Sequence, residues 1–268
     1  MQNFSRRFMQ VGVLIFMTVV LALSAQAATF SKASLKGSYS FLTNLWTANT
    51  STDQFAMVGV LTFDGAGNVT GSYTSLSLQT FQTGTLGGTY TVSSNGTGTI
   101  TFTTGSTAQF AITLDSTAAK VSHGVQLLQT NDSNNEIVSG TAVLQSTTTE
   151  TYSVASLKGN FSFQWNLWTA EVSEPQGSGV GIVTLDGKGN SKFSQTYMLD
   201  GGLYTETTTG TYTVNSDGSV SVSSNNSQTA CVLNTVAAGH AKGAQCVQNL
   251  TQANERGNYV IAWTGLKQ

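Results

Sequence analysis

The sequence predicts an all-β protein: two tandem eight-stranded antiparallel up-and-down β-barrels, with two β-sandwiches as the alternative, preceded by a signal-peptide helix. Three observations carry this reading. "ASLKGSYSFLTNLWTA" (Ala33–Ala48) recurs as "ASLKGNFSFQWNLWTA" (Ala155–Ala170), an offset of 122, and self-similarity at a fixed offset marks a duplicated structural unit. Within each copy, apolar and polar residues alternate with period two, the pattern of a half-buried strand. Between the alternating runs fall turns bearing Gly, Asn and Asp, at the spacing of a barrel or sandwich.

Taken in order, residues 1–27 read as a signal peptide. Arg6 and Arg7 precede the apolar run Val11–Leu23, and Ala25 and Ala27 are the small residues before a cut. That run is shorter than the ~20 residues of a membrane span. The expectation is export by the general secretory route to the periplasm or the outside, with no integral membrane segment after cleavage.

Copy one covers 29–146, a short polar joint 147–152, and copy two 153–268. In the first strand of copy two, Phe161, Phe163, Trp165 and Leu167 share one face; Tyr39, Phe41 and Leu45 do so in copy one. The second strand runs into a D-G-x-G-N turn and the third follows at once. In the fourth, Tyr90 and Val92 of "GTYTV" alternate with threonines, and the motif returns at Gly210–Val214. Ser-Asn-Gly or Ser-Asp-Gly turns lead to the fifth strand, with Ile100 and Phe102 or Val220 and Val222. The sixth and seventh form a hairpin, where the offset slips to 119, and "GTAVLQ" or "WTGLKQ" ends the copy. Short connections favour pairing between sequence neighbours, and closure of eight strands removes exposed edges. A single merged sixteen-stranded barrel ranks third.

The turn residues Asp64, Gly65, Gly67 and Asn68, repeated as Asp186, Gly187, Gly189 and Asn190, read as structural. A calcium site needs six to eight oxygens, usually from several carboxylates, and each loop offers one acid. A phosphate cradle needs a helix after the glycines, and a strand follows. No metal site is expected. The only cysteines are Cys231 and Cys246; a turn at Ala238-Gly239 sets them opposite each other, as a turn at Ala119-Lys120 sets Ile112 opposite Leu127. In an oxidising compartment such a pair is expected to form a disulfide, with two buried free thiols as the alternative.

Composition narrows the function. Two of the eleven basic residues lie in the signal, and the nine left face thirteen acids. A nucleic-acid partner needs clustered Lys and Arg, so none is expected. The two histidines, His123 and His240, do not occupy equivalent positions and read as surface residues. No G-x-S-x-G elbow occurs, so no catalytic residue and no cofactor are assigned. Trp46 and Trp168 fall by parity on the polar face of their strands, as a plug or as a stacking platform. Gly59 and Gly181 would leave a cavity or admit an aromatic ring. The candidate ligand-binding residues are Trp46, Trp168, Tyr39, Phe161 and Trp165.

Gly37-Ser38-Tyr39 and Gly159-Asn160-Phe161 resemble the G-x-W start of lipocalins and avidins, with Tyr39 or Phe161 in the tryptophan's place. The D-G turn followed by "VTGSYTS" (Val69–Ser75) resembles avidin-like chains too. This resemblance implies a calycin-type barrel, and no biotin-binding residue carries over. The run L-K-G-x-[YF]-x-F, D-G-x-G-N, G-T-Y-T-V and a terminal G-T-A…Q strand resembles a repeated segment of uncharacterised secreted bacterial proteins. It spans nearly the whole chain after the signal and implies fold and export. The expected function is an exported, non-enzymatic binding protein for a small hydrophobic or aromatic molecule or a glycan. A structural or adhesive envelope protein is the alternative, and an enzyme on a β-barrel scaffold the second.

Overall fold

The computed structural model describes residues 29–47, 55–77, 80–115, 121–131, 136–146, 151–168, 177–224, 227–237, 240–250 and 260–267. The signal-peptide reading over 1–27, the joint at 147–150 and the hairpin tips Ala119-Lys120 and Ala238-Gly239 lie outside the described residues. The first half contributes β1 (Lys36–Thr47), β2 (Phe55–Asp64), β3 (Asn68–Ser77), β4 (Thr80–Val92), β5 (Thr97–Thr104), β6 (Gln109–Leu114), β7 (Gly124–Gln129) and β8 (Glu136–Ser146). The second contributes β9 (Lys158–Trp168), β10 (Gly177–Asp186), β11 (Asn190–Leu199), β12 (Gly202–Val214), β13 (Ser219–Ser224), β14 (Ser227–Ala237), β15 (His240–Leu250) and β16 (Val260–Lys267).

Within each half every strand pairs antiparallel with its sequence neighbours, and the last strand returns to the first: β8 to β1 and β16 to β9. The architecture is therefore two closed barrels. Neither the sandwich alternative nor a merged sixteen-stranded ring forms, because the edge of each half is used up within that half. The alternation read from sequence sets the inside of each barrel. Tyr39, Phe41, Leu61, Phe63, Val69, Tyr90, Ile100 and Ile112 form the first core; Phe161, Phe163, Trp165, Val183, Leu185, Tyr212 and Leu233 form the second. Both histidines, His123 and His240, are exposed.

One end of each barrel is shut by the repeated motifs. A short 3-10 turn, Lys32–Ser34 or Val154–Ser156, lays Leu35 or Leu157 across the opening, where both are buried. The tyrosine of "GTYTV" ties it down: the Tyr90 hydroxyl donates to the Leu35 carbonyl at 2.9 Å, and that of Tyr212 to the Leu157 carbonyl at 2.8 Å. Burial is the first cause that pushes the Tyr90 hydroxyl up to about 12. The D-G-x-G-N turns sit at the same end. Asp64 Oδ1 accepts the N–H groups of Ala66, Gly67 and Asn68 at 2.7, 2.9 and 3.0 Å, and Oδ2 accepts the Asn68 side-chain amide. Gly65 and Gly67 have φ of +80° and +126°, which glycine adopts without steric cost. The loop's donors are thus turned in on its own aspartate, the structural role the sequence suggests. Among the described residues no group of His, Cys, Asp and Glu could hold a metal ion.

These hydrogen bonds carry a pH dependence. Bonding from the Asn68 side chain, then from backbone N–H groups, holds Asp64 well below the usual carboxylate range. The same contacts from Asn190 lower Asp186 to about 2 from 3.8. A carboxylate with a depressed folded pKa contributes stability that is complete above the unfolded value and lost as pH falls through the folded one. The melting temperature is therefore expected to fall between about pH 4 and pH 2. The double variant Asp64→Asn, Asp186→Asn should flatten that fall when melts are followed by circular dichroism. An unchanged acid limb in the variant would refute this role.

The barrels are packed against each other. Leu42, Ala56, Val58, Val60 and Leu76 on the outside of the first meet Val232 and Val247 on the outside of the second. Burying one such Val or Leu side chain is worth about 1.5–3 kcal/mol. Polar contacts flank the patch: the Gln145 amide donates to the Leu233 carbonyl at 2.7 Å, and the Gln245 amide to Thr141 Oγ1 at 2.9 Å.

Candidate functional site

The sequence reading pairs Cys231 with Cys246, and the register does the same: the two face each other across β14 and β15 and form a disulfide. In the first barrel Ile112 faces Leu127. By the chain-entropy estimate, a closed loop of this length adds about 3 kcal/mol. Both cysteines are buried, so the bond is a staple within the second core.

The candidate ligand residues separate into two groups. Tyr39, Phe161 and Trp165 are buried in the barrel interiors. The Tyr39 hydroxyl donates to the Ser122 carbonyl at 2.6 Å, and burial pushes its pKa well above the ordinary range. Trp165 lies over Gly179, where an added Cβ would come within 2.6 Å of the indole. Its Nε1 donates to Gln195 Oε1 at 3.0 Å, and its ring leans on Tyr197 with centroids 5.8 Å apart. These three side chains are packing. Trp46 and Trp168 stand near the ends of β1 and β9, paired with Ile137 and Val260; their side chains, and the stacking role read for them, lie outside the described residues. Gly59 and Gly181 admit rings, since a Cβ at either would come within 2.6 Å of Phe41 or Phe163.

The end opposite the shut one differs between the two barrels. In the first it holds a half-open cavity of about 420 Å³. Met57, Tyr73, Leu86, Phe102, Phe110 and Val138 supply its apolar wall, and Ser75, Gln82, Gln129 and Asn131 its polar groups. The repeat gives the reason. Trp165 in the second barrel stands where the first has Thr43, and Tyr197 where it has Ser75. Leu86, Phe102 and Phe110 become Thr208, Ser224 and Thr229. The second barrel thus fills this end from β9 and β11, while the first lines it from β4, β5 and β6. Thr43 is buried beside Met57 of the neighbouring strand, and its hydroxyl has no hydrogen-bond partner among the described residues.

The sequence reading missed this cavity because its residues do not share a motif. The signal was the contrast between copies: motifs at the shut end repeat closely, and residues at the open end do not. The arrangement is fit to hold a small molecule by apolar contact with a few amide and hydroxyl groups to orient it. No base stands beside a nucleophile among the residues that line it.

No protein-family profile matches the chain, and no curated protein matches it. Among solved structures it is similar to a protein of unknown function from the DUF3598 family of Nostoc punctiforme, at 12% identity over 88% of this chain and 98% of the other, with a TM-score of 0.27. It is also similar to a candidate AttH from Nitrosomonas europaea, at 9% identity over 87% and 92%, with a TM-score of 0.26. A porin-like protein from Bacteroides uniformis follows at 7% identity over 91% and 100%, with a TM-score of 0.20. Likeness at these TM-scores carries no functional argument, and lipocalin or avidin membership is not shown. Among the described residues no helix is long and apolar enough to cross a membrane.

Proposed function

We propose that the protein is a non-enzymatic binding protein that holds a small hydrophobic or aromatic molecule in the open end of its first barrel. One observation carries this: the cavity of about 420 Å³ bounded by Met57, Leu86, Phe102 and Phe110, a size within the usual range for ligand pockets, roughly 300–1,000 Å³. Met57, Leu86, Phe102 and Phe110 offer apolar contact to the guest's body, while Gln82 and Gln129 set its orientation. The second barrel, stapled by its disulfide and filled by Trp165, supports the first. The reading includes export to the periplasm or the outside, and the Cys231–Cys246 bond is in keeping with an oxidising compartment.

Titration with the apolar fluorophore N-phenyl-1-naphthylamine tests the proposal. A saturable rise with one site per chain is expected. Ser75→Tyr, which puts the second barrel's residue at the cavity wall, should abolish the rise, while Met198→Lys on the outer surface should leave it intact. An equal rise in wild type and Ser75→Tyr, or none in wild type, would defeat the reading.

A further inference from the structure

The two barrels meet through unlike faces. The first offers the outward side of β1 to β3, flanked by β8, where Leu42, Val58, Val60 and Leu76 are buried with Phe81 of β4 packed against them. The second offers the outward side of β14 and β15, with Val232 and Val247. Because the halves are copies, each face exists twice in the chain.

The exposed apolar part of the first face's duplicate lies on β10 to β12. Val180, Ile182, Met198 and Leu203 occupy the places of Val58, Val60, Leu76 and Phe81. All four are apolar again, and they are 58, 39, 51 and 71% exposed. The duplicate of the second face lies on β6 and β7, where Leu128 stands for Val247 and is 49% exposed. Single exposed apolar residues are ordinary on protein surfaces. Four at the very positions that form an interface in the other copy are a different matter. The shape recurs as well. Val180, Ser194, Thr196 and Thr205 line an open depression on the second barrel. Their counterparts Val58, Ser72, Thr74 and Thr83 line the groove beside which Val232 is seated.

We propose that this face is a docking site for a second copy of the chain. The outer side of β10 to β12 in one molecule takes the outer side of β6 and β7 in the next, as the matching residues of β2 and β3, with their neighbours on β1 and β8, meet β14 and β15 within one chain. The occupant follows from the established internal contact, which already joins these two kinds of face. Gln126 holds the place of Gln245, whose amide bonds Thr141 across the internal interface. Such a contact is heterologous: each molecule uses one face and leaves the other open, so association runs on as a ring or a filament. It is weaker than the internal contact, because Gln164 replaces Leu42 and Thr113 replaces Val232. Assembly is therefore reversible and rises with concentration.

Sedimentation velocity tests this on the chain from Ala28 to Gln268, which holds all sixteen strands. The weight-average sedimentation coefficient of the wild type should climb with concentration. Ile182→Lys and Leu128→Lys should each remain monomeric, with unchanged far-ultraviolet circular dichroism to show that they fold. An equimolar mixture of the two variants should give a dimer and nothing larger. In that mixture the intact β10–β12 face of Leu128→Lys meets the intact β6–β7 face of Ile182→Lys. A wild type that stays monomeric to its solubility limit overturns the proposal. So does association that survives Leu128→Lys, which would mean two β10–β12 faces pairing with each other, and so does a mixture that stays monomeric.

Discussion

Phe63→Ala is expected to lower the unfolding free energy by about 3–5 kcal/mol, the range for removing a buried aromatic ring. Phe63 stands at the centre of the first core, 2% exposed. Tyr39 and Tyr90 meet it edge to face, with ring centroids 5.4 and 5.1 Å away at near-right angles. Neither tyrosine can collapse into the space a truncation leaves. The Tyr39 hydroxyl is held by the Ser122 carbonyl and that of Tyr90 by the Leu35 carbonyl, so relaxation would break a buried hydrogen bond. The cavity therefore stays open and the cost lies toward the upper end. Phe63→Leu, the residue found at Leu185 in the second barrel, should lose less. Urea unfolding of both variants measures the difference. A loss below about 1 kcal/mol for Phe63→Ala would mean that the tyrosines do close in.

Gly59→Val is expected to prevent normal closure of the first barrel. A Cβ at position 59 would stand 2.1 Å from the Ser72 carbonyl oxygen, 2.6 Å from Phe41 Cε1 and 2.8 Å from Tyr73 Cα. Two of these three neighbours are backbone of β3, the strand paired with β2 through Gly59 and Tyr73. A ring can swing away, but a paired strand cannot without giving up its ladder. The cost exceeds the usual ~1–3 kcal/mol of overpacking. A drop in melting temperature on the order of 10 °C, or loss to the insoluble fraction, is the expected result. Gly181→Ala supplies the contrast, because one of its two nearest contacts is the movable Phe163 ring; its loss should be smaller. A Gly59→Val protein that melts with wild type would show that the glycine is not required for the approach.

Much of the fold was legible because its causes are local. Alternation at Phe161, Phe163 and Trp165 marked the inward face of β9, since a pleated strand sends successive side chains to opposite sides. Asp64 and Asn68 named their own turn because their partners are backbone groups two to four residues away. Cys231 and Cys246 could be paired because a hairpin fixes which residues face each other. Three of the five ligand candidates were read less well. Tyr39, Phe161 and Trp165 are aromatic and face inward, and alternation alone cannot tell a ring that fills a barrel from one that lines a cavity.

The chain's own residues determined the duplication, the strand order, the turn chemistry and the cross-strand cysteine pair, because each depends on neighbours within one copy. Only the tertiary structure decided which apolar residues outside the barrels are covered. Val58 and Val180 are the same residue at the same place in the repeat, yet the first is buried and the second 58% exposed. The difference lies in what is packed against them, and that depends on how one closed barrel seats on another. It likewise decided that the open end of the first barrel is hollow. Thr43 and Trp165 differ by one side chain, but whether a hollow results depends on the volumes that strands β2 to β6 bring to the same point in space.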